Sequence, residues 1–271
     1  MDRLTEDAWQ AYREQGFLRL GKVVPPKNIN ALRQRIDEIM LGKAHCEYDK
    51  MLMQLDSTSG DYSDLSSQGS GHKGATLNYR KIQDLELDRL FLEYLQHPLF
   101  EDICKRAYGP ESNIDIFRAM FMNKPSGKGT YLPWHQDRWR SLDRDPEITI
   151  WTALDPATIE NGCVQVIPGS HGNLLNPDHP SGFLNEDLTA EHCDLNKRVF
   201  LELEVGESVL LHNWLLHSSD KNKSSISRRA FSVCYMDAST AMINQESHYP
   251  YRRAFGENAL SPHGSGRQPT G

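Results

Sequence analysis

The stretch YLPWHQDRW, Tyr131–Trp139, places His135 and Asp137 two residues apart between Trp134 and Trp139. If it is a short β-strand, residues two apart share a face, so an imidazole and a carboxylate would converge on one interior point. Two such ligands hold a metal weakly, and a third must come from elsewhere. His217, in VLLHNWLLHSSD, follows the apolar strand Val209–Leu211 and ends its apolar continuation Trp214–Leu216, which places it at a rim. His212 in the same run is the rival. Two histidines and one carboxylate form a facial triad that leaves positions open on non-haem Fe(II). The same set plus water would also suit zinc in a hydrolase, with Glu147 or Glu160 as general base. HExxH, a nucleophile elbow and the phosphate-cradling GxxxxGK[ST] are absent from the sequence. Arg228 and Arg229 follow at the start of the last clear strand. A planar guanidinium suits a carboxylate bidentately, and neighbours on a strand face opposite ways, so one of the two should point inward.

These groups need a scaffold, and the chain is long enough for one. Its 271 residues are 38% hydrophobic and 25% charged, an ordinary globular composition. A formal charge of -7 disfavours nucleic-acid binding and an anionic membrane surface. The five cysteines are scattered without a CxxC, which speaks against a disulfide framework or structural zinc. The acidic start MDRLTEDAW is no secretory signal, and no apolar run approaches membrane-spanning length. A cytoplasmic setting without membrane insertion is expected.

The first part of the chain reads as helical. Ala8, Trp9 and Tyr12 form a stripe over residues 5–15, with Thr5 as cap and Gly16 as stop. Phe17–Leu20 alternates as a strand, and Ile29, Leu32, Ile36 and Met40 mark a second helix over 28–40. Residues 54–76 are rich in Ser, Gly and Asp, a long loop that could act as a lid. A strand over 77–82 and helices over 84–95 and 97–108 follow. From Ile114 the texture is β: strands are expected over 114–122, 147–154, 163–167, 199–205, 208–212 and 229–235. Short strands with turns between them predict a sandwich or barrel. The expected organisation is one domain over 1–259, helical to about residue 110, with a flexible tail over 260–271 that includes His263.

The ordered set Trp134–Asp137, WTALDPATIENGCVQVIPGSH (151–171) and His217 through Ala230 resembles the phytanoyl-CoA hydroxylase family of Fe(II)- and 2-oxoglutarate-dependent dioxygenases. RKIQDLEL (80–87), MFMNKP (120–125) and NPDHP (176–180) extend the resemblance over most of residues 1–240. It implies a double-stranded β-helix, a jelly-roll (cupin-like) barrel with flanking helices. It implies His135, Asp137 and His217 as iron ligands and Arg228 as the partner of the distal carboxylate of 2-oxoglutarate, with Arg229 facing away. Lys81, Gln136, Trp151 and Ser219 would line the co-substrate pocket. Asn161–Gly162 would make a strand-to-strand turn, and His171 would be structural. The implied reaction consumes O2 and 2-oxoglutarate, with ascorbate as a potential aid. It hydroxylates an unactivated C–H bond and releases succinate and CO2.

Family members that halogenate replace the carboxylate ligand by a small residue, so Asp137 favours hydroxylation. His72, Lys73, Asn78, Arg118 and Arg138 are the candidate substrate-side groups. Lys73 and Arg138 could meet an anion, such as the phosphonate of a small-phosphonate hydroxylase. The polar 54–76 loop favours a small polar substrate over an acyl-CoA. The rival classes are a metal-dependent hydrolase or isomerase and a barrel that binds ligands without catalysis.

Overall fold

A computed structural model describes residues 3–243 and 251–262. His263 and most of the tail expected to fray lie outside the described residues. The N-terminal part runs α1 (Glu6–Gln15), β1 (Phe17–Lys22), α2 (Pro26–Met40), β2 (Leu52–Leu55), β3 (Gly69–Ser70), β4 (Tyr79–Ile82), α3 (Arg89–Leu95) and α4 (Pro98–Tyr108). The remainder runs β5 (Ile114–Lys124), β6 (Leu132–His135), β7 (Ile148–Ala153), β8 (Val164–Val166), α5 (Glu186–His192), β9 (Val199–Phe200), β10 (Glu207–His212), β11 (His217–Ser219), β12 (Arg228–Asp237) and β13 (Arg252–Phe255). Thr5 caps α1 by accepting from the Ala8 N–H at 3.2 Å, and the chain leaves the helix at Gly16.

Two antiparallel sheets form among the described residues. The larger has the order β1-β10-β7-β12-β5-β4-β2-β3, with β13 also on β5; the smaller has the order β6-β11-β8-β9. No ladder joins one sheet to the other, so the expected jelly-roll barrel is corrected to a mixed α/β fold with two sheets that do not close. The physical reason lies in the short strands of the smaller sheet. The strand expected over 199–205 stops at Phe200. Beyond it Leu203 pairs singly with Ala157, and no ladder continues around the edge.

Alternation along the central strands separates two cores. On β12, Phe231, Val233 and Tyr235 pack with Ile148 and Ile150 of β7 against the helices, around Phe91, Phe100 and Ile103. The opposite faces of β7, β10 and β12 bury Trp151, Val209 and Ala230 with Val166 of the smaller sheet. Burial of this kind contributes roughly 25 cal/mol per Å² of apolar surface removed from water. On the helix side the Tyr94 hydroxyl lies 2.7 Å from Thr152 Oγ1 and 3.1 Å from Ser208 Oγ. The inner faces of β5, β7 and β12 also carry the polar side chains that line the cavity between the sheets.

The 54–76 stretch is partly ordered by short-range bonds. Ser57 Oγ accepts from the Gly60 N–H at 3.0 Å, and Thr130 Oγ1 donates to Asp56 at 2.6 Å. The Tyr62 ring packs 5.1 Å from the Phe183 ring, bringing this stretch over the inter-sheet cavity.

Candidate active site

His135 ends β6 and His217 opens β11, and the two are register partners in the smaller sheet. Their rings lie 4.0 Å apart. Asp137 lies just beyond β6, yet its carboxylate turns back to 3.6 Å from His135 Nε2 and 3.9 Å from His217 Nε2. Two backbone bonds hold this bend: the Gln136 N–H donates to Gly182 O at 3.2 Å and the Asp137 N–H to Asn213 O at 2.7 Å. One ligand atom from each of the three side chains lies within 4.8 Å of the others, the one such cluster among the described residues.

The histidine tautomers follow from the backbone. His135 Nδ1 lies 2.8 Å from Pro133 O, and His217 Nδ1 lies 2.8 Å from Leu215 O. A carbonyl only accepts, so each Nδ1 carries the proton and each Nε2 offers a lone pair toward Asp137. Burial, reinforced by His217, pushes His135 down to about 3, which keeps it neutral. Burial alone would raise Asp137, but His217, His135, Arg118 and Lys81 hold it below its ordinary value. Two imidazole Nε2 atoms and one carboxylate form a donor set that fits a divalent cation with open positions.

The triad lines a cavity of about 250 Å³. Lys81, Trp151, Ser219 and Arg228 line it too, as do Arg118 and Arg138. Arg228 is buried at 3% exposure, with its guanidinium carbon 5.3 Å from the centre of the Trp151 ring. Its Nε and Nη1 have no hydrogen-bond partner, nor does Trp151 Nε1. Burial lowers Arg228 to about 10, still charged at neutral pH. A buried cation with unused N–H groups in a cavity fits a carboxylate. Lys81 is pushed down to about 7 by burial and by Arg80 and Arg118. Arg229 faces the other way. It donates to Asp155 at 2.6 and 2.8 Å and also bonds Asp37 of α2, and these acids raise it against the effect of burial.

Other candidates lie elsewhere. The Gln136 side chain is buried and spent on the wall: it donates to Asn173 O at 2.8 Å and Trp214 O at 2.7 Å and accepts from the Leu175 N–H at 2.7 Å. His72 bonds Met40 O at 3.0 Å, Lys73 bonds Ser70 O at 2.8 Å, and Asn78 is exposed; none of the three lines the cavity. His212 borders the cavity but accepts from the Trp214 N–H at 3.0 Å and stands outside the triad. His171 bonds Arg13 O at 3.1 Å. Asp137 is the one carboxylate among the described lining residues, and Glu147 borders a different cavity, so the general base of the zinc hydrolase reading is missing. Phe183 was not foreseen. Its ring stacks on His135 at 4.8 Å, and only its place after the NPDHP loop hinted at it.

Residues 12–230 match the model of the family described as phytanoyl-CoA dioxygenase (PhyH). The chain belongs to the phytanoyl-CoA dioxygenase family. It is 30% identical over 251 residues to the human "Phytanoyl-CoA dioxygenase, peroxisomal", covering 89% of this chain and 71% of that protein. It is 29% identical over 243 residues to a Caenorhabditis elegans "Probable phytanoyl-CoA dioxygenase", covering 86% and 75%. Among solved structures it is similar to EctD from S. alaskensis with 2-oxoglutarate and 5-hydroxyectoine, with TM-score 0.68, 17% identity and coverage of 88% and 78%. It is similar also to the carbocyclase SnoK from nogalamycin biosynthesis, with TM-score 0.63, 21% identity and coverage of 88% and 86%. These two likenesses establish a shared fold. Family membership and the triad together make this family member an Fe(II)- and 2-oxoglutarate-dependent dioxygenase. The cytoplasmic expectation is corrected: the human, bovine, mouse and rat relatives are all named peroxisomal. It had rested on the lack of a secretory signal, which does not separate cytosol from an organelle. No helix among the described residues is long and apolar enough to cross a membrane.

Proposed function

We propose that His135, Asp137 and His217 hold Fe(II), that Arg228 holds the distal carboxylate of 2-oxoglutarate, and that a small organic substrate is hydroxylated beside them. The observation that carries this reading is the convergence of three ligand atoms in the same small cavity as a buried arginine with two unpartnered N–H groups. When bound, iron and 2-oxoglutarate together activate O2, and the co-substrate leaves as succinate and CO2 while a C–H bond gains oxygen. The chain's own part is positional. The Pro133 and Leu215 carbonyls orient both imidazoles, Asp137 completes the donor set, and Arg228 with Trp151 sets the direction of the diacid. Tyr62 and Phe183 cover the ligand side and exclude water. A cavity of about 250 Å³, smaller than most pockets for drug-sized ligands, supports a small substrate fragment beside the co-substrate.

The test is anaerobic titration of the Fe(II)-loaded protein with 2-oxoglutarate, read by the visible metal-to-ligand band, followed by succinate release against small acids, phosphonates and acyl-CoAs. The reading expects the band in the native protein and its loss, with loss of bound iron, in H135A and D137A. A native protein that binds iron but never develops the band would reject it.

A further inference from the structure

The chain is acidic overall, yet its active-site cavity is lined by Lys81, Arg118, Arg138 and Arg228 against the single carboxylate of Asp137. These cations are not equivalent. Arg138 is partly engaged: its Nη1 bonds Pro177 O and its Nε, which has no hydrogen-bond partner among the described residues, stands 3.9 Å from Asp145. Arg228 and Lys81 lie toward one end of β5, where Arg228 pairs with Lys124 and Lys81 with Met122. Arg118 lies further back on the same strand, opposite Cys234. Arg118, Met120 and Met122 all line the cavity, as the alternation of a strand requires. Six residues separate Arg118 from the Arg228 register position, roughly 20 Å along the strand at about 3.4 Å per residue. That backbone separation exceeds the length of 2-oxoglutarate.

Arg118 is also held in place. Its guanidinium carbon is 5.2 Å from the centres of both the Phe117 and Trp139 rings. Those rings meet edge-on at 4.6 Å. Two aromatic faces position a guanidinium while leaving its N–H fork unspent. Among the described residues Arg118 makes no hydrogen bond and no ion pair. The neutral polar groups nearby are already engaged: Thr149 donates to Asn213 at 2.6 Å, and Asn213 donates to Pro146 O at 2.7 Å. A half-buried arginine with an unspent fork, lining the cavity well along β5 from the Arg228 register position, is a receptor for an anionic group.

We propose that the substrate is a small organic acid, a carboxylate or phosphonate, whose anionic group is bound by Arg118 while the C–H bond to be oxidised lies beside Asp137. This rests on the dioxygenase reading of the cavity. Arg228 is then committed to the co-substrate and Arg118 to the substrate, so the reacting carbon sits between two anchored anions.

The test uses Fe(II)-loaded protein under anaerobic conditions with saturating 2-oxoglutarate. Matched probes are titrated: butanoate and propylphosphonate as acids, butanamide as the neutral counterpart. Binding is read as perturbation of the Fe(II)–2-oxoglutarate band. In the native protein at least one acid should bind roughly tenfold or more tightly than the amide, the scale of one charge-assisted bond. In R118Q that preference should collapse, and R118K, which keeps the charge without the fork, should retain part of it. Butanoate and propylphosphonate separate the carboxylate source from the phosphonate source. Acids and amide binding alike, no probe perturbing the band, or a preference surviving in R118Q would each overturn the assignment to Arg118 while leaving the dioxygenase reading intact. Absence of the band before any probe is added would sink the dioxygenase reading, and this inference with it.

Discussion

Replacing Arg228 by glutamine removes a buried charge whose Nε and Nη1 bond nothing among the described residues. That has two consequences of opposite kind. Toward 2-oxoglutarate, the variant loses a bidentate contact with a carboxylate. Two charge-assisted bonds at about 1.5–2.5 kcal/mol each amount to about 3–5 kcal/mol, or roughly two to four decades in Kd. Toward folding, the variant relieves the desolvation of a cation that has no acid within ion-pair distance among the described residues. The R228Q protein without co-substrate should therefore unfold at the native temperature or slightly above it. Anaerobic titration of the band gives the first quantity, and thermal unfolding by circular dichroism gives the second. A Kd for 2-oxoglutarate within about threefold of native would refute the assignment. So would a fall in Tm of more than a few degrees, which corresponds to roughly 1 kcal/mol or more in a chain of this size and would mark Arg228 as a packing residue.

Three further outcomes follow from the neighbours. D155N leaves Arg229 with one of its two acids, and a broken buried pair costs roughly 3–5 kcal/mol, so the urea midpoint should fall clearly; an unchanged midpoint would remove Asp155 as the anchor of β12. G182A puts a Cβ 1.9 Å from Gln136 O at a φ of +66°, so the Gln136–Asp137 bend must shift; iron content of the purified variant should drop, and full iron loading would contradict this dependence. Burial and the nearby His171 push His212 down to about 4, so the unfolded chain binds more protons than the folded one between about pH 6.5 and 4. The His212 contribution is complete above about pH 6.5 and declines as pH falls through that window, and H212Q should flatten that slope in denaturation curves taken from pH 7 to 4.

Much of the site was legible because its signals are local or ordered along the chain. His135 and Asp137 share a turn of backbone, and their convergence needs only the bend after β6. The alternation of Arg228 and Arg229 on β12 likewise follows from a period of two, and the structure places Arg229 on the helix side against Asp155 and Asp37. Gln136 shows the limit of positional transfer. It sits between two ligands, so alternation turns it outward, and its amide is consumed by Asn173, Trp214 and Leu175.

The fold was legible as β-rich with a helical start, through the periodicity of α1 and α2 and the apolar strands β7, β10 and β12. How those strands assemble was not. Closure depends on whether short segments such as 199–205 continue a ladder or pair singly with a loop, and each residue there has the same apolar pattern either way. The chain alone therefore pointed to the pair His135 and Asp137 and to which face of each long strand a residue occupies, because both are set by spacing within a few residues, while the choice of His217 and Arg228 came from the ordered motifs of the family resemblance. Tertiary structure alone decided the open two-sheet arrangement. It also decided which cations are left unpaired in the cavity. Those outcomes depend on contacts between segments far apart in the chain, where a one-residue change in pairing reverses which side chain faces inward.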